Sequence, residues 1–121
     1  MLDVHPEPDG WREVQTRVDG QLVAAGRLER TAGLLADIHS VRRLVDDAVV
    51  RGVFRWRAAR CFESIEEYDT PDSWEARLAS AQTGRLDADE PLLRQALDLM
   101  PERRAEILLR THARAVALVR V

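Results

Sequence analysis

Residues 53–78, VFRWRAARCFESIEEYDTPDSWEARL, decide the fold: they read as a strand, an acidic corner and a capped helix start. Over 53–65, Phe54, Trp56, Ala58 and Phe62 alternate with Arg55, Arg57 and Ala59, the period of a strand with one inner face. Arg60 interrupts the inner pattern, so a bulge or a change of exposure is expected there. Two of the three Trp, both Phe, the one Tyr and the one Cys fall in this stretch. In a chain with 5% aromatics, that concentration predicts that most large apolar area is buried here. Cys61, beside Phe62, is read as a packed, inert thiol.

The second half of the stretch starts a helix. Thr70 caps it, Pro71 takes the first helical position and Asp72 puts an acid in the first turn. Trp74, Leu78 and Ala81 line its apolar side, and Gly84 is expected to end it. The corner at 63–72 gathers Glu63, Glu66, Glu67, Asp69 and Asp72. Clustered carboxylates can do acid/base work or hold a cation. This cluster lacks the central Gly of a calcium loop, and neutralisation by nearby Arg explains it more simply.

Upstream, residues 37–51 form the clearest helix. Ile38, Val41, Leu44, Val45, Ala48 and Val49 recur at helical spacing; Asp37 is its expected cap and Gly52 its left-handed stop. Arg42, Arg43, Asp46 and Asp47 occupy the other face, spaced for ion pairs. His39 falls in the expected first turn, where the helix dipole disfavours an imidazolium. Residues 11–29 read as a hairpin about Asp19-Gly20. A three-residue loop, 18–20 with Gly20 left-handed, puts Val14, Thr16, Leu22, Ala24 and Leu28 on one face, and is preferred to a two-residue turn. Before it, Met1 to Val4 suit a brief strand, ended by Pro6 and Pro8.

Downstream, residues 87–91 start a further helix, with Leu92, Leu93, Ala96, Leu97 and Met100 as its apolar face and Pro101 as its stop. Residues 105–121 close the chain as β structure. Ile107 and Leu109, then Ala115, Ala117, Val119 and Val121, alternate over two arms. His112-Ala113-Arg114 is either a turn between the arms or a bulge in one long strand. The order β-β-α-β-α-α-β-β predicts an α+β fold, an antiparallel sheet with helices packed on one face.

Composition bounds what such a fold can do. At 121 residues, 45% hydrophobic and 32% charged, the chain is expected to be one domain, 1–121. No apolar run approaches the roughly 18 residues that span a bilayer, so a cytoplasmic protein without membrane partners is expected. All 18 basic residues are Arg and there is no Asn, which reads as the codon usage of a high-GC bacterium. A net charge of −3 argues against nucleic acid as partner. Arg51, Arg55 and Arg57 do not change this, because the alternation puts Trp56 on the face opposite Arg55 and Arg57. No metal-ligand cluster, nucleophile–base pair or phosphate loop appears, so neither metal nor cofactor is expected. His5, Trp56, Tyr68 and Trp74 are the candidate ligand-binding residues, the aromatics as walls of an apolar cavity. For an enzyme the pairings on offer are His39 with Glu66 and His5 with Tyr68.

Several segments together resemble the C-terminal, substrate-covering portion of bacterial class I S-adenosylmethionine-dependent methyltransferases. They are Leu2-Asp3-Val4-His5-Pro6, Gly26-Arg27, the run Ala48-Val49-Val50-Arg51-Gly52-Val53-Phe54, Phe62, Tyr68-Asp69-Thr70 with Ser73-Trp74-Glu75, and Arg114-Ala115. In that family the cofactor sits on a glycine-rich loop after the first strand and on an acid after the second. Those features would precede Met1, and these residues hold no such loop. The resemblance therefore implies a domain that is non-catalytic alone and binds a small ligand or a partner chain, such as a methyltransferase core. The competing expectation is a homodimeric interaction module with no small-molecule ligand, since an Ala- and Val-rich sheet edge favours a second copy.

Overall fold

The computed structural model describes residues 1–7, 12–80 and 84–121. Trp11, Ala81 and the Pro8 stop lie outside the described residues. The chain forms strands β1 (Leu2–Pro6), β2 (Arg12–Val18), β3 (Gln21–Leu28), β4 (Phe54–Tyr68), β5 (Leu86–Ala88) and β6 (Ala105–Arg120). Its helices are α1 (Ala32–Val50), α2 (Pro71–Leu78) and α3 (Glu90–Leu99). The strands make an open antiparallel sheet, order β1-β6-β2-β3-β5, with β4 also paired to β6, so the α+β class read from the sequence is the one observed. The residues cluster into two compact units: Met1–Gly10, Ala32–Ser64 and His112–Val121 in the first, Trp11–Thr31 and Ile65–Thr111 in the second.

In the second unit β2 lies between β3 and β6. Thr16 opposes Val23 and Ile107, and Val14 opposes Gly26 and Leu109. The hairpin turn corrects the expected three-residue loop. Val18 pairs with Gln21, and Asp19 and Gly20 both take positive φ (49° and 80°), so the turn has two residues and matches the strand twist. The extra residue sits instead in a bulge, where the register shifts between Val14 and Gln15 and Ala25 is left over. Leu22 and Ala24 therefore oppose Arg17 and Gln15 and are exposed, away from buried Val14 and Thr16.

Gly26 follows the bulge at φ 142°, and a Cβ there would lie 2.2 Å from the Ala88 Cα. Only glycine lets β5 approach this closely. That pairing takes Leu86–Ala88 out of the expected helix start; Asp89 is the cap, accepting from the Leu92 N–H, and α3 follows. Thr70 caps α2 as read, accepting from the Ser73 N–H at 3.2 Å, but α2 ends at Leu78 rather than at Gly84. After α3, Pro101 lies in a 3-10 turn, Met100–Glu102, which ends at left-handed Arg103. The core joins Trp74, Leu93, Ala96 and Met100 to Val14, Ala25, Leu28, Ile107 and Leu109.

The first unit is built otherwise. β1 pairs with residues 113–117 of β6, and Val121 N–H donates to the Val53 carbonyl at 3.1 Å. β6 runs as one strand through His112–Arg114; beyond that point it buries Val116 and Leu118, not the expected Ala115, Ala117, Val119 and Val121. α1 begins at Ala32, because half-buried Leu34 and Leu35 extend the apolar stripe upstream. Asp37 is thus inside the helix rather than its cap, and His39 is mid-helix. The C-terminus is as read: Gly52 is left-handed (φ 73°), with Gly52 N–H on the Val49 carbonyl and Val53 N–H on that of Ala48, a Schellman close.

Burial in this unit overturns the reading of 53–65. Of α1 only Ile38 is buried, and β4 is exposed from Arg55 to Glu67 with no change at Arg60. Trp56 is 39% and Phe62 38% exposed, and Cys61 is exposed, its Sγ 3.9 Å from Glu7 Oε1. Alternation states which side chains share a face; it does not state that anything covers that face.

Candidate functional site

The four candidate ligand residues divide between the units. His5 and Trp56 are in the first, Tyr68 and Trp74 in the second. His5 is buried, with Nδ1 2.8 Å from Asp3 Oδ2 and Nε2 lacking a hydrogen-bond partner among the described residues. The pair arises because period-two spacing puts residues 3 and 5 on one face of β1. Trp56 lies under the Arg114 guanidinium, 5.5 Å from ring centre to Cζ, a cation–π contact at the surface. It is not the inward-facing core residue that the alternation implied.

Tyr68 and Trp74 do meet. β4 ends at Tyr68, Thr70 caps α2, and one turn of α2 brings Trp74 to the Tyr68 ring, edge to face with centroids 5.3 Å apart. Trp74 is fully buried, so it is part of the core and not a wall open to a ligand. The Tyr68 hydroxyl donates to Glu66 Oε2, and Arg77 Nε stands 3.3 Å from the same oxygen. Arg77 follows Trp74 by three residues, on one side of α2. One carboxylate of the acidic corner is thereby neutralised by an arginine, as read. The corner itself is shorter than expected, because β4 continues through Glu66 and Glu67.

The group extends to Arg12, which the sequence reading passed over. Arg12 is only 4% exposed. Burial, then the Arg77 and Arg30 charges, lower its pKa to about 10, with Glu66 and Tyr68 acting against them. Burial lowers that of Arg30 too. Tyr68 is pushed up to about 12, first by burial and then by Glu66. A signal for Arg12 was available: it continues the period of Val14 and Thr16 onto the buried face of β2. The arrangement is a latch, with Glu66 as the acceptor that ties the end of β4 to α2. The enzyme pairings are not assembled within either unit: His39 and His5 belong to the first unit, Glu66 and Tyr68 to the second.

Among the described residues no cluster of three His, Cys, Asp or Glu could hold a metal ion. A surface concavity of about 580 Å³ runs along α3 between Glu90 and Leu99, and another of about 420 Å³ lies beside α1 at His39, Arg42 and Asp46. Neither is walled by Trp56, Tyr68 or Trp74. No helix among the described residues is long and apolar enough to cross a membrane. Comparison with protein-family models, curated proteins and solved structures gives no match.

Proposed function

We propose that this protein is a non-catalytic interaction module that works as a homodimer. One observation carries the reading: within the first unit large apolar side chains face solvent. Leu2 is 70%, Leu44 69% and Val50 86% exposed, and Val41, Val53 and Trp56 about two-fifths or more. Singly such residues are ordinary; concentrated in one unit, they are the mark of a surface used for association. A second copy is the simplest partner that supplies the same apolar chemistry in equal amount.

Light scattering, with native mass spectrometry of the same sample, tests this. A ligand-free dimer supports the module. A monomer that carries a co-purified small molecule overturns it in favour of the ligand-binding reading. A monomer that becomes a one-to-one complex only with a methyltransferase core overturns it in favour of the substrate-covering domain that the sequence resembles.

A further inference from the structure

Resting on the homodimer reading, we infer that the two copies meet through α1, antiparallel, about a twofold axis at Leu44. Asp37, Val41, Leu44, Ala48 and Arg51 recur at alternating intervals of four and three, the spacing of a helix-contact seam. This stripe is not the one that faces the molecule's own interior. The inward side of α1 is carried by buried Ile38 and half-buried Leu34, Val45 and Val49. Along the seam Val41 is 41% and Leu44 69% exposed, Asp37 and Arg51 are exposed, and Ala48 is half-buried.

The charges at its two ends select the partner and its direction. Asp37 and Arg51 lie equally far from Leu44, two helical turns on either side. Neither side chain has an ion pair among the described residues. Antiparallel pairing sets Leu44 against Leu44 and each Asp37 against the Arg51 of the other copy. Parallel pairing would stack Asp37 on Asp37 and Arg51 on Arg51, a like-charge penalty at both ends. The stripe is thus complementary to itself in one direction only, as a closed twofold interface requires. A single helix seam falls short of the roughly 800 Å² per partner of a stable interface. The expected dimer is therefore weak and reversible, with a micromolar Kd.

The experiment uses the full chain with Cys61→Ser, which removes the exposed native thiol. Leu44→Cys in that background is expected to give a disulfide-linked dimer on mild oxidation, and His39→Cys, exposed on the opposite side of α1, is not. Sedimentation velocity is expected to show at least tenfold weaker association for Asp37→Arg and for Arg51→Asp, and recovery when both are present. A dimer that neither cross-links through position 44 nor responds to the charge exchange overturns the α1 contact while leaving the homodimer reading in place. A wild-type chain that stays monomeric to several hundred micromolar overturns both.

Discussion

Trp74 and Trp56 are the same residue type, eighteen positions apart, in two units that use apolar area in opposite ways. In the second unit two helices cover the sheet, and Trp74 sits at 0% exposure among Met100, Leu28, Ile107 and Leu109. In the first unit β4 is bare along most of its length and Trp56 stays 39% exposed. The difference teaches that a strong local pattern specifies a face, and that a second layer decides whether the face becomes a core. The largest expected effect follows directly. Trp74→Ala should cost about 3–5 kcal/mol in a urea titration, because the cavity left among fixed neighbours cannot close. A near-neutral Trp74→Ala would erase the contrast between the units.

Gly26 tests the same packing from the backbone side. Its φ of 142° and the 2.2 Å approach of a Cβ to Ala88 Cα leave no place for a side chain. Gly26→Ala should cost about 1–3 kcal/mol from backbone strain alone. It should also free β5, which hydrogen exchange at Leu86–Ala88 would report as faster amide turnover. Unchanged protection there would mean that β5 is held by something other than this close approach.

Much of the second unit was legible because local chemistry and tertiary structure agree there. Thr70-Pro71-Asp72 caps α2, and Leu93, Ala96 and Met100 point inward as their spacing says. What misled was one-residue bookkeeping. The Asp19-Gly20 turn and the Ala25 bulge each shift register by one, and the pattern of apolar residues was matched by either with a different face turned inward. β5 was missed because three residues, Leu86-Asp87-Ala88, carry too little alternation to be seen, and its existence depends on Gly26, about sixty residues earlier. In the first unit the periodicities were right and the burial wrong, since the layer that would cover β4 and the α1 seam is not encoded by the stretch being read. Of the site, the Tyr68–Trp74 contact follows from a strand end and a cap, whereas the Arg12 contribution required continuing the β2 period by one more step.

The latch between β4 and α2 gives a smaller effect that is easy to assign, because Tyr68 is the only tyrosine. Its phenol should titrate near 12, about two pH units above the ordinary value, when followed by ultraviolet absorbance. The folded chain holds this proton more tightly than the unfolded chain. Tyr68 therefore contributes stability that is complete below about pH 10 and lost as the pH rises through about 12. Glu66→Gln removes the carboxylate that accepts from the hydroxyl and should bring the midpoint down towards 10. A midpoint unmoved by Glu66→Gln would assign the shift to burial against Trp74 alone.

Trp56 supplies the smallest and most discriminating effect. In the isolated chain Trp56→Ala removes a half-covered ring and its contact with Arg114, and exposed contacts of this kind contribute about 0.5–1 kcal/mol. The loss is expected to be several-fold smaller than for Trp74→Ala, although both substitutions delete the same side chain. If the apolar surface of the first unit is where a second copy sits, that small cost should grow with protein concentration, because the wild-type reference gains binding energy that the variant lacks. Measured at a concentration well below the dimer Kd and again well above it, the two losses should therefore differ. Equal losses would place Trp56 outside the contact and confine association to the α1 seam.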